Sequence, residues 1–157
     1  MFDDEEEDDI SNFQEMPLYK KGMDIYELTK NLVALIPEDA PEPLKDVGAM
    51  MMLDACMLTV KIAGAESGDL YDIRMENAAI VRKAARELLV NTHGLEMFGF
   101  KETHYFQLLR DALEEYRPLF VEWVQGFDQW NYTIDRWGLF NPPGVGADDV
   151  DPDDLIH

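Results

Sequence analysis

Reactive side chains are scarce in this chain, and none of them falls into a catalytic sequence pattern. Cys56 is the single cysteine, and no histidine stands near it in the sequence to act as the base of a nucleophilic pair. It lies on an apolar helical stripe, where a buried and unreactive thiol is expected. We therefore expect no catalytic residue and a protein that is not an enzyme.

Histidine and glutamate come closest to a metal-binding pattern near residue 100. His93 and Glu96 lie three residues apart, and His104 follows. The di-metal site of ferritin-like bundles needs Glu-x-x-His on two helices, but valine and lysine stand three residues before these two histidines. The sequence therefore predicts no metal ligands and no cofactor. A metal ion or a small molecule held in the core of a helical bundle remains an alternative.

Acidic residues dominate the charge of the chain and are concentrated at its ends. The formal net charge is −20 over 157 residues. Seven acids fill residues 3–9 and five more lie within 148–154, where like charges repel one another and favour disordered tails. The remaining 21 acids and 13 bases leave the body mildly acidic. Because phosphate contacts need a basic surface, this charge disfavours nucleic acid as a partner.

The expected location follows from the cysteine content and the hydropathy pattern. A lone cysteine forms no internal disulfide, which fits a reducing compartment. The acidic start of the chain does not resemble a signal peptide. No apolar run is expected to reach the roughly 18 residues that a membrane span needs. We therefore expect a cytoplasmic protein with no membrane partner.

Four amphipathic stretches predict an all-α fold, an antiparallel up-and-down four-helix bundle over residues 23–127. Apolar residues recur every three or four positions, which stacks them along one side of each helix. Prolines and glycines separate the stretches. The predicted helices run from about residue 23 to 36, from 41 to 64, from the N-cap Asp69 to Gly94 or Gly99, and from 102 to 127.

Three expectations concern the faces of these helices. The predicted buried face of the second helix consists of Val47, Met50, Leu53, Met57 and Val60. Asn77 falls on the apolar stripe of the third helix, where a buried amide would fix the register of the core. The consecutive Met50, Met51 and Met52 cannot all point inward, so at least one faces a neighbouring helix or another subunit. A methionine-rich surface adapts readily to partners.

The stretch that follows the helices, residues 128–145, is rich in aromatic side chains. It contains Trp130, Tyr132, Trp137 and Phe140 and ends in a turn signature. Aromatic side chains bury large areas, so we expect this extension to pack on the bundle. An aromatic surface exposed to a partner, or used for self-association, is the alternative. Residues 1–22 are predicted to be a disordered acidic tail and residues 146–157 a second acidic tail.

One block of the sequence resembles a known family. Residues 61–100, KIAGAESGDLYDIRMENAAIVRKAARELLVNTHGLEMFGF, are similar to the central hairpin of the small four-helix bundle proteins encoded by intervening sequences in bacterial 23S ribosomal RNA genes. The accessory proteins of diversity-generating retroelements resemble that family too. The matching features are an Ile-Ala segment with a glycine-containing turn, a late glutamate in helix 3 and a Leu-Gly-Tyr-like turn: Ile62–Gly68, Glu87 and Phe98–Phe100. The resemblance implies a bundle that tends to form rings, often of five subunits.

The charge pattern departs from that family and decides the leading interpretation. Family members are basic around the turn between helices 2 and 3, whereas this chain has Glu66, Asp69 and Asp72 there. The nucleic-acid role that the resemblance implies is therefore the alternative. It would need a basic face assembled across subunits from Arg74, Arg82, Lys83 and Arg86. The leading interpretation is a homo-oligomeric scaffold or adaptor that acts through protein–protein contacts.

Overall fold

Four long helices account for most of the computed structural model, which describes residues 12–151. The helices are α1 (Pro17–Val33), α2 (Glu42–Glu66), α3 (Tyr71–Met97) and α4 (Thr103–Gln125). A short 3₁₀ helix, Asn12–Glu15, precedes α1, and no strand occurs within the described residues. The predicted all-α four-helix bundle is confirmed.

Each helix packs against two neighbours, and one of the four seams is weak. α2 and α3 make the most extensive contact, α1 lies against α2 and α4, and α3 and α4 touch sparingly. Short connections join consecutive helices, which makes them antiparallel neighbours. Gly99 ends α3 as predicted, with a φ of 86°. The Phe100 N–H donates to the Leu95 carbonyl at 3.0 Å, the hydrogen bond of a Schellman cap.

The hydrophobic core takes side chains from all four helices. Its fully buried members include Ile25 of α1, Leu58 of α2, Leu88 of α3 and Phe106 of α4. Tyr116 of α4 also belongs to this core, and its hydroxyl donates to the Leu58 carbonyl at 3.0 Å. Burial raises the pKa of Tyr116 well above its usual value. The hydroxyl therefore stays protonated and holds α4 to the middle of α2.

α1 begins earlier than the periodicity of its apolar residues indicates. Pro17 opens the helix at a position where the missing N–H breaks no hydrogen bond. Phe13 meets Tyr19 edge-on, with 5.3 Å between the ring centroids, and this contact ties the 3₁₀ helix to α1. Residues 12–22 therefore belong to the folded body and not to the predicted tail. The acidic run 3–9 lies outside the described residues.

The core uses a different face of α2 from the predicted one. Met50, Leu53 and Val60 point outward, so the predicted face is wrong. The buried side is formed by Leu44, Gly48, Met51, Ala55, Leu58, Thr59, Ile62 and Ala65. Small residues lie on this buried side, where a Cβ on Gly48 would be 2.8 Å from Ile36 Cδ1 and 3.3 Å from Val33 Cγ1. α2 is apolar on two sides, and helical spacing alone does not tell which side meets the core.

Two polar residues of the α3 region also differ from expectation. Asn77 is partly exposed, and its amide donates to the Ile73 carbonyl one turn earlier, at 3.0 Å. The prediction of a buried amide that fixes the core register is therefore wrong. Asp69 does not cap α3, because the helix begins after Leu70, which makes no side-chain cap hydrogen bond. Asn77 instead lies on the outer side of the α2–α3 hairpin.

α2 is long and apolar enough to cross a membrane by length and composition, contrary to the expectation from the sequence. One helix of this kind is weak evidence for a membrane protein, because a core helix of a globular bundle meets the same criteria. Only 33% of its most apolar window is buried. Much of the apolar surface of α2 therefore faces outward, although the core is filled by the other side of the helix.

Candidate protein interaction surfaces

An exposed apolar surface, which we call the hairpin face, covers the outer side of the α2–α3 hairpin. Five of its side chains are 48–65% exposed: Met50, Leu53 and Val60 on α2, and Ile73 and Val90 on α3. The three on α2 recur at helical spacing, and the partly buried Met57 completes their stripe. Exposed apolar side chains that form a contiguous patch mark interaction sites, whereas scattered ones are ordinary.

Contacts across the hairpin place the α3 members of the face beside the α2 stripe. A Cβ on Gly64 would meet Asn77 Oδ1 at 3.7 Å, and the Asp54 carboxyl lies beside the Glu87 carboxyl. Ile73 and Val90 each lie about one helical turn from one of these residues, Ile73 from Asn77 and Val90 from Glu87. Val90 also borders Arg82, Lys83 and Arg86, so charged side chains separate the two apolar residues that α3 adds to the hairpin face.

Asp54 lies in the middle of the hairpin face and has an oxygen without a donor. Its Oδ2 is buried and receives no hydrogen bond from the residues that the structure describes. The Glu87 carboxyl cannot donate to it unless one of the two groups holds a proton. Burial and then Glu87 raise the pKa of Asp54 to about 6, while Lys83 opposes this shift. The centre of the face therefore carries a negative group that lacks a donor.

A groove follows the weak seam between α3 and α4. Its volume is about 350 Å³, and its apolar lining includes Leu89 and Phe120. The rim carries Arg82, Arg86 and Arg117, of which Arg117 is paired with a glutamate of its own helix at 2.9 Å. These arginines and the adjacent lysine of α3 form a basic patch on an otherwise acidic chain.

Arg74 does not join this basic patch. Its Nε donates to the Gly68 carbonyl at 2.9 Å, and its guanidinium lies 5.5 Å from the centroid of the Phe127 ring. A carboxylate oxygen of Glu66 is 3.8 Å away. Arg74 therefore ties the turn between α2 and α3 to Phe127, just after the end of α4. The four-residue basic face of the alternative interpretation is not assembled within one chain.

The C-terminal extension is attached to the start of α3. The Tyr71 N–H donates to the Asn131 carbonyl at 2.8 Å, and the Thr133 hydroxyl donates to the Asp72 carboxylate at 3.3 Å. Tyr132 packs against a small apolar cluster that includes the buried Phe127. The first N–H groups of a helix lack acceptors within the helix, and α3 has no side-chain cap to supply one. The Asn131 carbonyl therefore provides an acceptor for one of them, the Tyr71 N–H. The expectation that the extension packs on the bundle holds for this part of it.

The tip of the extension is a turn built around Asp135. Its carboxylate accepts backbone hydrogen bonds from Trp137, Leu139 and Phe140 at 2.8–2.9 Å. These N–H groups, that of Phe140 first, lower the pKa of Asp135. Arg136 adds two hydrogen bonds at 2.8 Å to the carbonyls of residues 147 and 149. The turn is therefore fixed by polar contacts rather than by an apolar core.

The two tryptophans of the extension are not docked on the bundle. Trp130 is 90% exposed and Trp137 is 95% exposed, so the expectation that they pack inward is wrong. Tyr132 and Phe140 are partly buried, as that expectation requires. The Asp135 turn holds Trp137 outward because its hydrogen bonds fix the backbone on both sides of the ring. The alternative, an aromatic surface open to a partner, fits the two tryptophans.

The histidine region forms a polar network rather than a ligand cluster. Arg110 Nη2 is 3.1 Å from His93 Nδ1 and 2.7 Å from Glu96 Oε1, and its guanidinium lies 5.6 Å from the Phe106 centroid. His104 stacks edge-on against its neighbour Tyr105. No group of three histidine, cysteine or carboxylate side chains within residues 12–151 is arranged to hold a metal ion.

Comparison with known proteins does not assign the chain to a family. No protein-family model matches it, and no curated protein or solved structure is similar to it. The resemblance to the intervening-sequence bundle proteins therefore stays a prediction. Function is inferred from the surfaces of the chain itself.

The sequence identified part of these surfaces and missed the rest. Met50 was expected to be a surface candidate and is half exposed, whereas Met51 is fully buried. Met52 is intermediate between them. Leu53 and Val60 were assigned to the core, although they form the centre of the hairpin face. The signal that identifies them is the excess of apolar residues on α2, which is more than one buried face needs.

Proposed function

We propose that this chain is a non-enzymatic, cytoplasmic protein that acts through protein–protein contacts, as a scaffold or adaptor that assembles with copies of itself. The hairpin face carries this proposal, because five apolar side chains are exposed on adjacent helices of a bundle whose core is already filled. Burial of apolar surface contributes about 25 cal/mol per Å². A partner that covers this face gains that free energy without unfolding any part of the bundle.

The tryptophans of the extension supply a second contact surface, and we assign it to a different protein. Trp130 and Trp137 are exposed, whereas Tyr132 and Phe140 hold the segment in place. Tryptophan is enriched among the residues that dominate binding energies at interfaces. A rigid turn that displays an indole ring loses little conformational freedom on binding.

The experiment that tests self-association is the solution mass of the chain by light scattering. We expect a discrete oligomer for the full chain and a monomer for Leu53→Glu, because a charge at the centre of the hairpin face cannot be buried without a partner. Leu108→Glu is the matched control, since Leu108 is an exposed leucine on α4, outside the hairpin face. A monomeric wild type, or an unchanged mass for Leu53→Glu, would reject the proposal.

A nucleic-acid accessory role is the second candidate, and the basic patch at the α3–α4 groove favours it. Arg82 and Arg86 are exposed there beside Arg117. Phosphate contacts are strongest at low salt, so a gel-shift assay with RNA at about 50 mM salt is the sensitive test. Retardation that disappears in an Arg82→Glu, Arg86→Glu double variant would support this role. No retardation of the wild type would reject it.

A further inference from the structure

We propose that a second copy of this chain docks on the hairpin face with its α2 antiparallel, across a two-fold axis near Met57. This inference rests on the proposed self-association and specifies its geometry. The α2 residues of the face are spaced almost symmetrically about Met57: Met50 and Gly64 lie seven residues to either side, and Leu53 and Val60 lie four before and three after. An antiparallel partner therefore presents its Val60 to Leu53 and its Gly64 to Met50.

The charges on α2 follow the same symmetry. Asp54 lies three residues before Met57, and Lys61 lies four residues after it. Seven residues of α-helix span about 10.5 Å, which is too far for an ion pair within one chain. Lys61 has no ion-pair partner in the described part of the chain. Across the two-fold axis, Lys61 of the second copy lies opposite Asp54 and supplies a cationic donor to the acidic centre of the face.

Gly64 leaves room for the close approach of a second chain. Glycine in the interior of a helix is unfavourable relative to alanine. Gly22 is required by packing within the chain, because a Cβ on it would lie 2.9 Å from the Leu58 carbonyl oxygen of the neighbouring helix. A Cβ on Gly64 would meet Asn77 Oδ1 at 3.7 Å, an ordinary contact distance. The open space above Gly64 accommodates the Met50 side chain of the second copy.

The α3 side of the face enlarges the contact area. A stable interface buries about 800 Å² on each partner, which one helical stripe does not supply. Ile73 and Val90 extend the apolar surface onto α3, so that two hairpin faces meet over two helices each. The alternative is that the hairpin face binds in the α3–α4 groove of the second copy, since the arginines of that groove also complement Asp54. The one carboxylate in the groove lining, Glu114, is already paired with Arg117 at 2.9 Å, whereas the antiparallel arrangement places Asp54 opposite Lys61.

The test is an exchange of charge between Asp54 and Lys61 in the full chain. Asp54→Lys and Lys61→Asp each place like charges opposite one another, and we expect each to raise the dimer Kd about tenfold or more. The double variant restores opposite charges and should return Kd to within about threefold of the wild type. Sedimentation equilibrium measures Kd, and circular dichroism verifies that each variant keeps its helices.

Recovery in the double variant supports the antiparallel arrangement, because the two positions cannot touch within one chain. A double variant that associates more weakly than either single variant overturns this arrangement, while a monomeric Leu53→Glu still supports self-association. If Arg86→Glu then also weakens association, the α3–α4 groove is the surface that binds the second copy. Gly64→Met provides a second test: a helical monomer supports the proposal, and an intact dimer contradicts it.

Discussion

Asp54 makes the stability of the bundle depend on pH. Its pKa in the folded protein is about 6, above the ordinary value of 3.8. The folded protein therefore binds more protons than the unfolded chain between these pH values, and the free energy of unfolding falls as pH rises through this window. We expect Asp54→Asn to raise the free energy of unfolding at pH 7 by about 1 kcal/mol, because solvent screens this partly exposed group.

Urea unfolding at pH 4 and pH 7, at a concentration where the chain is monomeric, measures this effect. The gain from Asp54→Asn should be present at pH 7 and absent near pH 4, where the wild-type carboxyl is already protonated in the folded state. Asp46→Asn is the control, since Asp46 is an exposed carboxylate on the same helix. An equal gain at both pH values would show that charge is not the cause.

Periodicity did not identify Asp54 because its environment depends on a distant residue. Glu87 is 33 positions further along the chain, and only the antiparallel packing of α2 and α3 brings the two carboxyls together. Asp54 also follows Leu53 directly in the sequence, and periodicity predicts that Leu53 is a core residue. Local patterns therefore indicate which residues share a stripe, but not what the neighbouring helix contributes to it.

Among the helices, small residues fix where α1 crosses α2. A Cβ on Gly22 would lie 2.9 Å from the Leu58 carbonyl oxygen and 3.0 Å from Thr59 Cγ2. Backbone cannot move aside as a flexible side chain does, so we expect Gly22→Ala to lower the free energy of unfolding by about 1–3 kcal/mol. Gly94→Ala is the control: its Cβ would meet no atom within 4 Å, and it should raise stability by about 0.5–1 kcal/mol.

Urea denaturation of both glycine variants decides whether the close α1–α2 contact is real. A destabilised Gly22→Ala together with a stabilised Gly94→Ala separates steric conflict from helix propensity. If both variants gain stability, the helices are farther apart than the structure shows. Glycine and alanine also lie on the buried side of α2, where they add little to an apolar pattern, so periodicity alone favours the other side of that helix.

The C-terminal turn depends on a single carboxylate. Asp135 accepts three backbone hydrogen bonds, at 2.8–2.9 Å, and its lowered pKa means that this stabilisation is present above pH 3.8 and is lost as pH falls through the lowered pKa. We expect Asp135→Ala to loosen the turn and to accelerate tryptic cleavage after Arg136 at pH 8. Asp148→Ala should leave the cleavage rate unchanged. Equal rates for the wild type and Asp135→Ala would show that other contacts hold the turn.

At the scale of the whole molecule, the sequence was sufficient for the fold and insufficient for its surfaces. Four apolar periodicities and the breaks between them specify four helices, because each helix must bury a stripe. The need to bury one stripe per helix does not determine where the surplus apolar side chains of α2 or the exposed tryptophans lie. The excess of apolar residues on α2 indicates that some of them lie on a surface, but not which side of the helix that surface is. Self-association therefore depends on the net charge of the whole molecule as well as on these surfaces.

The net charge predicts how salt affects self-association. Two copies that each carry a formal charge of −20 repel one another. Salt screens this repulsion, since the Debye length falls from about 10 Å at 0.1 M to about 3 Å at 1 M. The apolar contact of the hairpin faces does not weaken with salt, and the Asp54–Lys61 ion pairs at the centre of the interface are screened little because they are buried. We therefore expect the dimer Kd to fall as NaCl rises.

Sedimentation equilibrium between about 0.05 and 0.5 M NaCl measures this dependence, over which screening changes most. A chain without residues 1–11 and 152–157 is the matched control, because it lacks nine of the 33 acids and should respond less to salt. A Kd that rises with salt would contradict an apolar interface. It would indicate instead a contact dominated by ion pairs. The arginines at the rim of the α3–α4 groove would then be the surface that binds the second copy.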